Sequence, residues 1–88
     1  MEVTFSPKAL KDIELIKTSG TRAIKRRFER ILQSILETPY NGFASPEPLK
    51  YELSGKWSRQ LSKKDRVVYA IKEEEVHILS ILGHYSDK

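Results

Sequence analysis

The chain has 88 residues, of which 39% are hydrophobic, and it contains no cysteine. This length predicts a single domain over residues 1–88, and the lack of cysteine excludes both a disulfide framework and a thiolate metal site. The formal net charge of +4 favours an acidic or polyanionic partner, while the absence of a long apolar run or a signal-peptide pattern predicts a cytoplasmic protein with no membrane partner.

The N-terminal half predicts a short strand followed by two helices. Alternation over residues 2–5 predicts the strand, and Ser6-Pro7 supplies an N-cap and a first-turn proline for a helix that Gly20 ends. A second helix begins after Thr21 and ends at Thr38-Pro39, because the residue before proline avoids the α region. Its buried face is predicted by apolar residues at helical spacing: Ile24, Phe28, Ile31, Leu32 and Ile35.

The C-terminal half predicts a loop and then strands in quick succession. Residues 40–48 are rich in turn-forming residues and predict the loop. The predicted strands cover residues 50–53, 57–61, 66–71 and 76–82. Short polar turns between strands are typical of an antiparallel meander. The chain therefore predicts an α+β domain with two N-terminal helices packed on one face of a mainly antiparallel sheet, which leaves the other face open.

Positive charge is concentrated in two segments. The strand-rich segment 50–66 has six cations against Glu52 and Asp65: Lys50, Lys56, Arg59, Lys63, Lys64 and Arg66. We interpret this segment as a candidate surface for RNA. The second cluster lies on the second helix and comprises Arg22, Lys25, Arg26, Arg27 and Arg30, with Glu29 as its one acidic neighbour. A solvated helix face is the simplest interpretation of the second cluster.

Four residues have side chains suited to metal-free cleavage of RNA. Glu47 lies between two prolines that stiffen the backbone, and a carboxylate can serve as the general base that activates a 2′-hydroxyl. The guanidinium of Arg66 can stabilise charge on a phosphate. His84 can protonate the departing oxygen, and Tyr85 can stack on a base or position the phosphate.

Each of these residues also has a purely structural interpretation when it is considered alone. Pro46-Glu47-Pro48 is compatible with an exposed linker kink, Arg66 with a solubilising strand-edge residue, and His84 with an ordinary surface histidine. His77 alternates within a strand and we interpret it as structural. No residues have metal-ligand spacing and no glycine-rich phosphate loop is present, so we expect no metal and no cofactor.

The combination of separated sequence blocks is more specific than any one of them. The blocks are Pro46-Glu47-Pro48-Leu49-Lys50, Leu53-Ser54-Gly55-Lys56-Trp57-Ser58-Arg59, Arg66-Val67-Val68-Tyr69-Ala70 and the C-terminal His84-Tyr85. Together they resemble the YoeB (Txe/YoeB) toxins of the RelE superfamily, and the resemblance covers nearly the whole chain. It implies a RelE-like fold and the toxin of a type II toxin–antitoxin system.

The resemblance also implies an activity, partners and roles for individual residues. The activity would be metal-independent, ribosome-dependent cleavage of mRNA in the ribosomal A site, which inhibits translation. The partners would be a YefM-like antitoxin, ribosomal RNA, mRNA and a second copy in a homodimer. The catalytic residues would be Glu47 as base, His84 as acid, Arg66 at the transition state and Tyr85 near the scissile phosphate. Lys50 and Arg59 would bind phosphate or ribosomal RNA.

Two alternatives on the same scaffold remain open. ParE-like proteins resemble this fold and poison DNA gyrase by binding it without catalysis, but they do not share the combination of Glu47, Arg66, His84 and Tyr85. A plain RNA-binding module with inert site residues is the other alternative. Gln60 and the extension 86–88 are departures from the family pattern, and neither removes a matched catalytic residue.

Overall fold

The computed structural model describes residues 2–83; His84 and Tyr85 lie outside the described residues. In chain order the elements are β1 (Glu2–Phe5), α1 (Pro7–Ser19), α2 (Arg22–Glu37), β2 (Glu47–Pro48), a 3₁₀ turn (Tyr51–Leu53), β3 (Trp57–Gln60), β4 (Arg66–Lys72) and β5 (Glu75–Ser80). The strands form one sheet in the order β1-β5-β4-β3-β2. β1 is parallel to β5, and the other pairs are antiparallel. The predicted α+β class is confirmed.

The helix boundaries follow from capping residues that the sequence predicted. The Ser6 hydroxyl accepts a hydrogen bond from the Ala9 N–H, with Pro7 in the first turn. Thr21 caps α2 in the same way through the Ile24 N–H. Side-chain oxygens at these positions satisfy amides that have no partner within the helix. The two helices are therefore defined by local sequence.

The core lies between the helices and one face of the sheet. Ile31 and Ile35 of α2 are fully buried, as are Tyr69 of β4 and Ile78 of β5, and all four belong to one apolar cluster. Because side chains alternate along a strand, the neighbours of Tyr69 and Ile78 lie on the opposite face of the sheet. Both helices thus cover one face, as predicted.

The opposite face, called the open face below, is not uniformly exposed. Ser58 pairs with Val68, next to a register shift in the pairing of β4 with β5. Both residues are buried, with at most 2% of their surface exposed. These two residues, called the open-face floor below, are inaccessible to solvent, and the accessible side chains of the open face lie around them.

Two predicted elements differ from the structure. Residues 50–53 do not form a strand; the pairing partner of β3 is instead Glu47–Pro48, within the predicted loop. Leu49 also donates its N–H to the Lys56 carbonyl at 2.9 Å, so the chain between them must reverse direction. It does so through the 3₁₀ turn, with Tyr51 at φ 57°. Pro48 is tolerated because β2 is an edge strand, where a missing N–H costs little.

Candidate active site

Glu47 and Arg66 lie together on the open face. Glu47 is directly opposite Ser58 in the β2–β3 pairing. One guanidinium nitrogen of Arg66, Nη1, lies 3.8 Å from Glu47 Oε2 and 3.4 Å from the Ser58 hydroxyl, to which it donates. The structure thus brings the predicted acid and the predicted guanidinium to one place, with Ser58 between them.

Both charged groups remain accessible to a ligand. The side chain of Glu47 is 54% exposed and that of Arg66 is 30% exposed. Their separation corresponds to a loose ion pair rather than a tight bidentate contact. Within residues 2–83, Ser58 is the one side chain that accepts a hydrogen bond from the Arg66 guanidinium. Most of its donors are therefore directed at no described acceptor and can bind an anion.

The backbone that carries Glu47 is held in an unusual conformation. Ala44 and Ser45 both have positive φ, at 72° and 53°, a region that non-glycine residues rarely adopt. The Ala44 carbonyl accepts a hydrogen bond from the Gln60 N–H at 2.8 Å. The positive-φ turn and the prolines on either side of Glu47 restrict the backbone from which its side chain extends.

The predicted RNA-binding lysines lie in the turns at the two ends of β3. Lys50 is exposed and Lys56 is half-buried in the turn before β3, while Lys63 and Lys64 are exposed in the turn after it. The four lysines thus lie in the two turns that flank β3. This arrangement is compatible with a polyanion that crosses the strand ends.

Arg59 does not belong to this surface. It is fully buried beneath the sheet. Its five guanidinium hydrogens have five acceptors at 2.7–3.1 Å: the Tyr69 hydroxyl, the Ser34 hydroxyl and the carbonyls of Phe43, Thr38 and Asn41. A side chain with no exposed surface and no unused donor cannot contact RNA in this conformation. The prediction that Arg59 binds RNA is therefore corrected to a structural role.

The five hydrogen bonds of the Arg59 guanidinium, called the Arg59 cage below, connect the end of α2 and the loop before Glu47 to the sheet. Tyr69 completes it by donating its hydroxyl hydrogen to the Pro39 carbonyl at 2.7 Å. Burial raises the pKa of Tyr69, although the Arg59 guanidinium partly offsets this. The phenol accordingly stays protonated as a donor. No sequence pattern marked Arg59 as buried, since its acceptors are mostly backbone carbonyls.

The arginines of α2 do not all form a solvated face. Arg27 donates from Nε and Nη2 to the Gln60 carbonyl, at 3.0 and 2.8 Å. The guanidinium groups of Arg27 and Arg30 lie 4.9 and 4.1 Å from the centroid of the Phe43 ring, within the range of a cation–π contact. Arg22, Lys25 and Arg26 are exposed. Part of this cluster therefore attaches α2 to the sheet and its loop.

Asp12 is a buried carboxylate that sequence reasoning missed. It is 4% exposed. It accepts hydrogen bonds from the Ile81 and Leu82 amides at 2.9 and 3.0 Å, and it pairs with Lys8 at 2.8 Å. Burial raises the pKa of Asp12, but the hydrogen bonds from Lys8 and from the two amides outweigh it, and the net pKa is lowered. The i, i+4 spacing of Lys8 and Asp12 was the available signal.

His77 has two side-chain neighbours, Thr4 and Glu75. The ring of His77 contacts the Thr4 hydroxyl through Nδ1 at 2.7 Å, and its Nε2 lies 3.5 Å from Glu75 Oε1.

Residues 2–83 contain no group of three or more metal-ligating side chains that could hold an ion. None of the helices in this part of the chain is both long and apolar enough to cross a membrane.

Comparison with known proteins identifies the family. The fold is that of a small α+β toxin domain, and residues 5–85 match the model of the YoeB-like toxins of bacterial type II toxin–antitoxin systems. The chain is 39% identical over 83 residues to the toxin YoeB of Mycobacterium bovis, an alignment that covers 94% of this chain and 96% of that protein. The chain belongs to the YoeB-like toxin family.

Solved structures agree with this assignment. The chain is similar to a YoeB–YefM complex from Staphylococcus aureus, with 29% identity, a TM-score of 0.86, and coverage of 97% of this chain and 98% of that chain. A YoeB dimer from the same species gives 29% identity, a TM-score of 0.87 and the same coverage. The predicted resemblance to the YoeB family is confirmed.

Proposed function

We propose that this toxin is a metal-independent endoribonuclease that cleaves mRNA on the ribosome and thereby blocks translation in the cytoplasm. The observation that carries the proposal is the accessible pair of Glu47 and Arg66 on the open face, joined through Ser58. Family membership supports the same activity, since the matched toxins share the fold over nearly the whole chain.

The chemistry assigns one step to each side chain. The Glu47 carboxylate takes the proton from a 2′-hydroxyl, whose oxygen then attacks the adjacent phosphorus. The P–O bond to the 5′-oxygen breaks, which leaves a 2′,3′-cyclic phosphate on one fragment and a 5′-hydroxyl on the other. Arg66 neutralises the charge that builds on the non-bridging oxygens. The bonds formed and broken in this step are balanced without a metal or a second substrate.

His84 is proposed to supply the proton for the departing 5′-oxygen, with Tyr85 beside the scissile phosphate. Both residues follow Gly83, whose carbonyl accepts a hydrogen bond from the Arg66 N–H at 3.3 Å. The described chain therefore ends next to the guanidinium residue, which supports a short path from Arg66 to His84.

The partners proposed for this chain follow from its charge and its relatives. Lys50, Lys56, Lys63 and Lys64 are proposed to bind the phosphates of mRNA and ribosomal RNA. A YefM-like antitoxin is proposed to neutralise the toxin, and a homodimer is proposed as its free form, because S. aureus relatives have been solved as a YoeB–YefM complex and as a YoeB dimer.

The direct test is an mRNA cleavage assay on programmed ribosomes. Wild-type protein is expected to cut the mRNA, whereas Glu47→Gln is expected to slow cleavage by roughly 100-fold or more because the general base is lost. Glu52→Gln is the matched control, since Glu52 is an exposed carboxylate five residues away, and it should cleave normally. Absence of cleavage by the wild type, or equal rates for both variants, contradicts the proposal.

A DNA-supercoiling assay with gyrase separates this proposal from the ParE-like alternative. The cleaving toxin should leave gyrase unaffected. Inhibition of supercoiling without mRNA cleavage would favour the gyrase-binding alternative, and retained ribosome binding without cleavage would favour a plain RNA-binding module.

A further inference from the structure

The strand that carries Glu47, β2, is too short to fix its own position. It has two residues, and Pro48 has no N–H to donate to the sheet. An edge strand of this length makes few hydrogen bonds with its neighbour, so its place depends on how the chain is held before and after it. After β2, the Leu49 N–H donates to the Lys56 carbonyl at 2.9 Å. Before β2, the chain is held through the loop over residues 38–46.

Three consecutive residues of β3 hold this loop and β2 together. Ser58 pairs with Glu47 itself, and the Gln60 N–H donates to the Ala44 carbonyl at 2.8 Å. Arg59, between them, points to the opposite face of the sheet and donates to three loop carbonyls. These carbonyls belong to Thr38, Asn41 and Phe43, at 2.7–3.1 Å. The same short strand therefore fixes the loop from the helix side and Glu47 from the open face.

Two hydroxyl groups extend the Arg59 cage to further backbone atoms of the loop. The Tyr69 hydroxyl accepts from Arg59 Nε at 3.0 Å and donates to the Pro39 carbonyl at 2.7 Å. The Ser34 hydroxyl accepts from Arg59 Nη1 at 2.8 Å and from the Phe43 N–H at 3.2 Å. Backbone groups of the loop that have no helix or strand partner are thus bonded to fixed side chains.

We propose that the Arg59 cage positions the general base of the active site. The positioning residues are Arg59, Tyr69 and Ser34. They hold the loop over residues 38–46, and the loop sets where the Glu47 carboxylate meets the 2′-hydroxyl of the RNA. The inference rests on the proposed function and extends it to side chains on the far side of the sheet, which contact no substrate. A cage that served fold stability alone would change the amount of folded protein and leave the cleavage rate of the folded fraction unchanged.

A double-mutant cycle with the general base distinguishes these roles. Tyr69→Phe removes one hydroxyl and keeps the ring that belongs to the core. On programmed ribosomes saturated with toxin, it is expected to slow mRNA cleavage by about tenfold to 100-fold, the effect of a small misplacement of a reacting group. The toxin concentration that gives the half-maximal rate should stay the same. In Glu47→Gln, where no general base remains to be misplaced, adding Tyr69→Phe should change the residual rate by less than about twofold.

Two further variants make the cycle specific. Ser34→Ala removes the acceptor that Arg59 and Phe43 share, at a helix position where alanine is favourable, so it should fold and should show a weaker form of the same pattern. It decides the question if Tyr69→Phe does not fold. Tyr40→Phe removes an exposed tyrosine hydroxyl from the same loop and should behave as wild type. Equal slowing with and without Glu47→Gln, or no slowing in its absence, overturns the positioning role.

Backbone NMR relaxation tests the anchor without any cleavage. In Tyr69→Phe, the order parameters of the Ala44 and Glu47 amides should fall from about 0.85, the value of rigid backbone, toward about 0.6. That of Ile31 in α2 should keep its wild-type value, and Tyr40→Phe should change none of the three. Unaltered order parameters at Ala44 and Glu47 would refute the anchor. If wild-type protein cleaves no mRNA while these order parameters fall as expected, the proposed function has failed and the anchor has not.

Discussion

At the scale of single residues, the site depends on side chains whose environments differ sharply. Arg66 and Arg59 both lie on central strands and both were predicted to contact RNA. Arg66 is partly exposed and has one described hydrogen-bond acceptor among the side chains, so it is free to bind an anion. Arg59 is fully buried with five acceptors. The two side chains lie on opposite faces of the sheet because side chains alternate along each strand.

Replacing Arg59 tests its structural role. Arg59→Met is expected to lower the free energy of unfolding by about 3 kcal/mol or more, because buried carbonyl and hydroxyl acceptors lose their donors and each such group costs about 1–3 kcal/mol. The control is Arg26→Met on the exposed side of α2, which should change it by less than about 0.5 kcal/mol. Urea unfolding measures both. Equal stability of the two variants would contradict the buried cage.

The burial of Asp12 and Arg59 could not be predicted from sequence, although the i, i+4 spacing of Lys8 and Asp12 indicates that ion pair. Asp12 lies 69 residues from Ile81 in the chain, and its partners there are backbone amides that carry no residue-type signal. Arg59 was placed in a cationic run of six, and a count of charges does not reveal which side chain points inward. By contrast, Glu47 and Arg66 were identified from residue types that suit phosphate chemistry, and the structure places their charged atoms 3.8 Å apart.

At the scale of elements, the helices were predicted correctly because their bounds and buried faces are determined by interactions between residues close in sequence. The caps at Ser6 and Thr21 and the apolar stripe of α2 defined both helices. The predicted strand over 50–53 was wrong because an edge strand is selected by its pairing partner, and β3 pairs with Glu47–Pro48. That difference matters for the site, because strand pairing with Ser58 is what places Glu47 opposite the open-face floor and next to Arg66.

The junction of α1 with the segment after β5 should depend on pH. Burial raises the pKa of Asp12, but its hydrogen bonds with Lys8 and with the Ile81 and Leu82 amides outweigh burial and hold the folded pKa below the usual carboxyl range. Asp12 therefore stabilises the fold fully above its unfolded pKa and loses this contribution as pH falls through the folded pKa. The difference in free energy of unfolding between wild type and Asp12→Asn should shrink as pH falls below the usual carboxyl range. Urea unfolding at a series of pH values checks this. A difference that stays constant or grows toward low pH would contradict it.

At the scale of the whole molecule, one face of the sheet forms the core with the helices and the other face carries the proposed site. The helices cover one face of the sheet and build the apolar core. The open face carries the carboxylate of Glu47 and the guanidinium of Arg66 beside the buried residues Ser58 and Val68. The helices also supply Asp12, which fixes the chain beyond β5. The helical layer thus supports the sheet whose open face carries the proposed site.

The products of cleavage test the central claim most directly. In the proposed mechanism, in which Glu47 activates the 2′-hydroxyl and Arg66 stabilises the charge on the phosphate, cleavage leaves a 2′,3′-cyclic phosphate and a 5′-hydroxyl. Mass spectrometry of fragments from programmed ribosomes should detect these ends with wild-type protein, and Arg66→Ala should abolish them. Because the proposed nucleophile is the 2′-hydroxyl of the mRNA itself rather than a water molecule, fragments that carry a 5′-phosphate and a 3′-hydroxyl would contradict the account.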